Sequence, residues 1–348
     1  MKIELPTSAA PALARRSAVA PKIFEWRAFW PLLALGLILL VDAFISPGFF
    51  SIRLVEGRLY GSLIDILYRG APTAVVALGM AVVIGARGID LSVGAVIAIA
   101  GAVMTELIHG GMSAPAVLLA TLFVSLICGL WNGVLVAFLD IQPIIATLIL
   151  MVAGRGVAQM IDAGTIVTFR SEFFSAISTG RLGPIPSRIV VAAAVYALTW
   201  AAMRRTALGL FVESVGANAE ASRLTGIDSK FVTVATYLIS GVAAGIAGIL
   251  ITSDIRGSDA NNAGLWMELD AILAVVLGGG SLNGGRVYIF NTLIGVLIIQ
   301  SLTTSILVSG LPPEYNLIVK AIVVFFCLLL QARPVRQAVG GMMWAKRP

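Results

Sequence analysis

From residue 67 to residue 330 one apolar run follows another, each about long enough to cross a bilayer, with glycine or charge rather than a soluble domain at the breaks. A membrane helix takes about 20 predominantly apolar residues, and loops between such helices can be very short. Composition points the same way. The chain is 59% hydrophobic and 12% charged, whereas a soluble domain carries roughly 25% charged residues. The expected fold class is therefore all-α, a polytopic membrane helix bundle with the bilayer as its solvent.

Ten crossings are expected, at 29–45, 64–84, 91–107, 114–139, 141–161, 189–203, 231–252, 266–277, 287–309 and 317–331. The eighth is too short to span at 1.5 Å per residue, so it is broken or continues into the glycine run Gly278, Gly279 and Gly280. Basic residues gather on cytoplasmic loops, and that bias assigns the sides. An internal N-terminus leaves fifteen Lys and Arg on cytoplasmic segments, among them Arg15, Arg16, Arg87, Arg204, Arg205, Lys230, Arg286 and Arg333. Six then lie outside (Arg53, Arg58, Arg170, Arg181, Arg188, Arg256) and three within crossings (Arg69, Arg155, Lys320). Both termini are expected in the cytoplasm. The domains read as a leader over 1–28, a transmembrane domain over 29–331 with a cytoplasmic coupling loop at 204–230, and a tail over 332–348.

The same bias accounts for the net charge of +6, so no nucleic-acid partner is implied. Cys128 and Cys327 both fall inside apolar runs and give no disulfide framework. The first run resembles a signal peptide, but its leader is long, Asp42 interrupts it and no small-residue cleavage site follows. It is expected to be an uncleaved first crossing. Gly129 with Gly133, and Gly241 with Gly245 and Gly248, put small residues on single helix faces, where backbones can approach closely. A short echo relates 81–85 (AVVIG) to 274–278 (AVVLG), each running into a glycine-containing turn; transporters often carry internal repeats.

Three segments concentrate polar chemistry. Residues 85–94 (GARGIDLSVG) open the third crossing with an acid and a hydroxyl. Asp90 there can cap a helix, or Asp90 and Ser92 can line a pathway, since polar groups at membrane depth usually face a cavity. Residues 253–270 gather acids, amides, Arg256 and Trp266 at the expected external mouth of the short eighth crossing. Carboxylates and amides bind sugar hydroxyls and an indole covers the apolar side of a sugar ring; the alternative is an outer loop rich in Asx turns. In the long cytoplasmic loop, Asn218 is placed to cap a helix over 219–225 and Gly226 to close it. Glu220 pairs with Arg223 at i,i+3. A short helix capped at both ends suits docking to a soluble partner. His109, the one histidine, sits beside an outer turn, and no Gly-Lys dipeptide exists to form an ATP-binding P-loop.

These three segments are where the chain resembles the membrane-spanning permeases of bacterial ABC sugar importers of the ribose-permease type. Residues 88–94 (GIDLSVG) are similar to that family's signature, 215–227 (VGANAEASRLTGI) to its ATPase-coupling loop, and 278–286 (GGGSLNGGR) to its late glycine-rich turn. Residues 141–143, 146–159 and 254–266 are most similar to permeases of galactofuranose importers. The resemblance implies a subunit of an ATP-driven importer of galactofuranose or a related monosaccharide, with no cofactor in this chain. ATP and magnesium belong to a tandem ABC ATPase partner. The other implied partners are a second permease, identical or different, and a periplasmic sugar-binding protein, and the implied location is the bacterial inner membrane.

On this reading the substrate path runs past Asp90, Ser92, Asn132, Asp259, Asn261, Asn262, Trp266 and Asp270. ATPase coupling falls to Glu213, Gly216, Asn218, Ala219, Glu220, Ala221, Arg223 and Gly226. An ion-coupled secondary sugar transporter needs acids paired deep within crossings, whereas most acids here stand at their ends. An intramembrane transferase needs a positioned acid–base or metal set, for which one peripheral histidine is poor material.

Overall fold

The computed structural model describes residues 28–331 apart from 47, 56, 311, 313 and 314. The expected tail over 332–348 and all but the last residue of the expected leader lie outside the described residues, as does the side chain of Cys327. Each of the ten expected crossings coincides with a helix: α1 (Phe29–Ile45), α2 (Ser62–Gly85), α3 (Val93–His109), α4 (Ala114–Ala137), α5 (Pro143–Ile161), α7 (Ser187–Arg205), α10 (Ser229–Ile255), α11 (Met267–Leu277), α12 (Ile289–Val308) and α13 (Tyr315–Gln331). Of these, α2, α4, α5, α10 and α12 are long and apolar enough to cross a membrane by length and composition, and the molecule is a multi-pass, mostly helical membrane protein. Three short helices lie between them: α6 (Glu172–Thr179), α8 (Ala207–Ala217) and α9 (Ala219–Leu224).

The chain is not purely helical. Strands β1 (Arg53–Val55) and β2 (Arg58–Tyr60) form an antiparallel hairpin, as do β4 (Arg181–Leu182) and β5 (Ile185–Pro186), while β3 (Val167–Thr168) pairs with β6 (Gly257–Ser258). The Leu59 N–H reaches the Pro184 carbonyl at 3.5 Å and joins the two hairpins. Two- and three-residue ladders are too short to show an alternating pattern in sequence.

Helix α10 runs through the middle of the bundle and packs against α4, α2 and α3. Small residues set this packing, because lipid supplies little hydrophobic drive between helices. A methyl group on Gly129 would strike the Tyr237 carbonyl, and one on Gly241 would strike the Ser125 carbonyl and the Gly129 backbone. Tyr237 is fully buried in this seam. Outward faces of α4 and α5 instead expose Leu119, Phe123, Ile145, Ile149 and Val152.

Two helices begin inside the bundle rather than at its surface. Ser240 contacts the segment just before α3, and it stands about 16 Å along α10 from Ser229 at 1.5 Å per residue. Helix α10 is 27 residues long, about 40 Å, so α3 starts near half depth. After α10 the chain turns at Arg256, in the left-handed region with φ 53°, and descends along α3. Ser258 lies beside Gly101, and Gly264 lies against Gly94 and Ile97, roughly 10 Å deeper on the helix rise. Helix α11 starts there, and its 11 residues cover only about 16 Å. The short eighth crossing is thus a half helix that begins at the junction with α3.

Candidate functional site

Asp90 organises the start of α3. Its Oδ1 accepts from the Ser92 N–H at 3.0 Å and the Ser92 hydroxyl at 2.6 Å, and Oδ2 accepts from the Ser240 hydroxyl at 2.7 Å. Asn132 on α4 donates to Ser92 Oγ at 2.8 Å and lies 3.5 Å from Asp90 Oδ1. Tyr237 and Thr147 both donate to the Ile89 carbonyl, at 3.4 and 3.2 Å. Asp90, Ser92, Asn132 and Ser240 are each at most 1% exposed. One acid thereby caps a turn and ties α3 to α4 and α10. Within this single chain these residues form a closed polar knot and do not line an open path. Asn132 was legible as a polar residue in an apolar run; Ser240 and Tyr237 gave no such sign.

The expected outer cluster over 253–270 does not stay together at the external mouth. Asp254 belongs to the last turn of α10, where its Oδ2 accepts from Arg188 at 2.8 Å and its Oδ1 from Tyr68 and, at 3.1 Å, from Ser178. The Arg188 guanidinium also stacks 4.9 Å from the centre of the Tyr68 ring. Arg188 is only 6% exposed. This network clamps α2, α6 and α7 to the end of α10, because the buried Arg188 cation is tolerated only when paired.

Asp259 folds the descending segment into an Asx turn, accepting from the Asn261 and Asn262 N–H groups at 3.1 Å each and from the Asn262 amide at 2.8 Å. Helix α5 holds the segment from the side. Arg155 donates to the Ala260 and Ala263 carbonyls at 3.0 and 2.6 Å, and Gln159 donates to Asn261 Oδ1 at 2.7 Å. At the bottom, Trp266 takes φ 65° and remains 48% exposed, an uncommon backbone state for a bulky residue. Glu268 is buried against Gly94, where a methyl group would meet its carboxylate and the Gly264 carbonyl. Asp270 is drawn away from the others into an ion pair with Lys320 of α13 at 2.9 Å. Asn261, Asn262, Leu265 and Trp266 therefore form an exposed polar–aromatic edge reaching from the α10 end to half depth. Arg155 and Gln159 brace it from α5 while Glu268 stays buried; Arg155 was visible in sequence as a cation inside a crossing, whereas Gln159 and Glu268 were not.

The expected coupling residues divide into an interlock and a pendant. Gly216 of α8 sits on the Gly85 carbonyl at the end of α2 and on the Gly285 N–H so closely that no Cβ fits. The Gly285 N–H itself donates to the Gly85 carbonyl at 2.9 Å, and Arg87 Nε donates to the Asn283 carbonyl at 2.9 Å. Glu213 accepts from the Val287 N–H at 3.1 Å, while Arg204 donates to the Val287 carbonyl at 3.2 Å. The late glycine-rich turn is thereby strapped to α8 and to the end of α2. Nothing in its composition announced that contact.

Helix α9 hangs beyond this interlock. Asn218 Oδ1 accepts from the Ala221 N–H at 3.0 Å, Gly226 follows the helix with φ 88°, and Arg223 donates to Glu220 at 2.7 Å. Arg223 holds the Glu220 carboxyl below its ordinary range through that hydrogen bond and its charge. The pair is therefore charged at neutral pH, and its contribution is lost only as acid titrates Glu220. Ala219, Glu220, Ala221, Arg223 and Leu224 are all exposed.

A bundle with paired half helices, an exposed polar edge at half depth and a capped helix at one face has the make-up of a transport permease. Residues 62–328 match the family described as branched-chain amino acid transport system / permease component, and the chain belongs to that family. It is 52% identical to the galactofuranose transporter permease protein YtfT of Escherichia coli (strain K12) over 320 residues, 92% of this chain and 94% of that one. It is 35% identical to the fructose import permease protein FruF of Bifidobacterium longum, over 92% of each chain, and 34% identical to the ribose import permease protein RbsC of Escherichia coli (strain K12), over 86% of this chain and 92% of that one. No solved structure matches.

Proposed function

We propose that this chain is the permease subunit of an ABC importer that moves a monosaccharide, galactofuranose or a close relative, across the bacterial inner membrane by alternating access. The observation that carries this reading is the 52% identity to a galactofuranose permease along 94% of its length. Weaker likeness to fructose and ribose permeases supports the sugar class more broadly. Both termini, α8 and α9 lie in the cytoplasm in this proposal, in keeping with the placement of basic residues.

A loaded binding protein docks on the opposite face and releases sugar between this chain and a second permease. The exposed edge of Asn261, Asn262 and Trp266 offers amides for hydroxyls and an indole face for the ring, at a depth where half-helix N-termini meet. That is the place where transporters commonly bind substrate. A tandem ATPase, carrying ATP and magnesium, grips α9 and moves it. The Gly216 interlock passes this displacement to the ends of α2 and α12.

The test is uptake of labelled galactofuranose, ribose and fructose by cells lacking the chain's gene, with and without the gene restored. Restored uptake of galactofuranose that disappears when the partner ATPase is inactivated supports the proposal. Uptake that survives loss of the ATPase would overturn it in favour of an ion-coupled carrier.

A further inference from the structure

On the bundle's flank, α4 packs on α10 and α7 packs on α2, leaving a groove between α4 and α7. Its cavity volume is about 310 Å³, and Leu78, Gly79, Leu126, Val195, Leu238 and Val242 are among its lining. The floor is drawn tight at Gly79, where an added Cβ would stand only 3.0 Å from the Ser240 Cα and the Ala243 side chain. Leu126, Val195, Leu238 and Val242 are all half-buried, so the groove opens outward to whatever surrounds the bundle.

The helices that form it end, on the α8–α9 face, in cation–aromatic pairs. Arg205 closes α7 and stacks 5.6 Å from the Trp200 ring, and Lys230 opens α10 and lies 5.4 Å from the ring of Phe138 at the end of α4. All four side chains are exposed. Among the described residues neither Arg205 nor Lys230 pairs with a carboxylate. Asp228 stands on the same rim, but its Oδ1 is engaged by the Lys230 and Phe231 N–H groups of α10. Asp140, two residues past Phe138, and Glu220 of α9, held by Arg223, are also exposed acids of this face. From Arg205 to Thr199 is about 9 Å along α7, and from Lys230 to Leu238 about 12 Å along α10. The apolar groove therefore begins below a cationic, aromatic rim, at the depth of acyl chains in a leaflet about 15 Å thick.

We propose that this groove is a binding site for one anionic phospholipid, its acyl chain lying on α10 between α4 and α7 and its phosphate held by Arg205 and Lys230. Aromatic rings at the rim sit at the headgroup level that such side chains prefer, and unpaired cations there attract anionic headgroups. The inference does not depend on which sugar is carried.

The experiment places the full-length chain in phosphatidylcholine vesicles doped with a photoreactive phosphatidylglycerol or, in parallel, with the equivalent phosphatidylcholine probe. Cross-linked peptides are mapped by mass spectrometry, without any measurement of transport. The anionic probe is expected to label α7 around Val195 and α10 around Val242 far more than the zwitterionic probe does. In the double variant Arg205→Gln with Lys230→Gln, both changes at exposed positions, labelling should fall about 25-fold, since each cation near an anionic headgroup contributes roughly a fivefold preference. Equal labelling by the two probes, or labelling unaffected by the double substitution, overturns the proposal. So does protection of the groove from both probes, which would assign it to a second chain.

Discussion

The hydroxyl of Ser240 donates to Asp90 Oδ2 at 2.7 Å, tying the middle of α10 to the turn that starts α3. Three hydroxyl or amide groups and one backbone N–H converge on that single buried carboxylate. Replacing it with Leu strands the Ser92 N–H and the Ser92 and Ser240 hydroxyls, while Asn132 keeps its bond to Ser92 Oγ; each unsatisfied buried donor costs about 1–3 kcal/mol. Asp90→Leu is expected to abolish folded yield in detergent. Asp90→Asn keeps an acceptor for the Ser92 N–H and should insert normally, with a lowered unfolding temperature and impaired uptake. A wild-type unfolding temperature for Asp90→Leu would remove the knot from the account of stability.

The interlock predicts a different phenotype at Gly216. A Cβ there meets the Gly85 carbonyl and the Gly285 N–H, both of them backbone atoms that cannot swing aside. Overpacking of this kind costs about 1–3 kcal/mol, enough to lift α8 from α2 without unfolding the bundle. Gly216→Ala should reach the membrane at normal abundance yet lose most sugar-stimulated ATP hydrolysis in the assembled complex. Stimulation at the wild-type level would show that α8 transmits motion by another route.

Lys320 and Asp270 make the ion pair that holds α13 to α11, with side chains 10% and 22% exposed. Removing one partner leaves an uncompensated charge, at a cost of roughly 3 kcal/mol for a buried pair. Lys320→Met alone should lower the unfolding temperature clearly. Adding Asp270→Leu should recover most of that loss, because an apolar pair of similar size replaces the ionic one. A thermal-melt double-mutant cycle checks this, and strict additivity of the two changes would contradict it.

How much was readable in advance follows from which forces are local. Helices such as α2 and α10 announce themselves through continuous apolar length, and the caps of α9 are set by Asn218 and Gly226 within a few residues of each other. The descent of 259–266 was not legible, because it is fixed by contacts more than 90 residues away in sequence, such as Arg155 to Ala260 and Ala263. Polar composition suggested a loop at the surface. Two of its carbonyls are instead satisfied by Arg155 of α5 and two of its N–H groups by Asp259, which allows irregular backbone to enter the bundle. The same reason hid the strap at Val287, whose partner Glu213 lies on another helix.

Trp266 combines exposure with a left-handed backbone, a conformation costing about 1 kcal/mol for a residue other than glycine. Trp266→Gly removes that strain together with the indole. The variant should be at least as stable as the parent in a thermal melt, yet its uptake should drop severalfold through a raised apparent KM. Unchanged uptake would return the segment to the role of a plain Asx-turn loop.

The pendant helix α9 permits a test in which space plays no part. No atom lies within 4 Å of where a Cβ would stand on Gly226, so Gly226→Val acts only through its φ of 88°, which β-branched residues strongly disfavour. Ala221→Pro deletes the N–H that Asn218 caps and costs up to about 3 kcal/mol in the helix interior, less in the first turn. Both sites are exposed, so the membrane bundle and its abundance should be unaffected. If α9 is the element that a soluble ATPase grips, both variants lose the co-purifying ATPase and the sugar-stimulated hydrolysis together. The serine variant Gly226→Ser, able to reach the left-handed region more easily than valine, should lose less than Gly226→Val. Full co-purification and stimulation in Gly226→Val and Ala221→Pro, at normal abundance, would reduce α9 to a connector between α8 and α10.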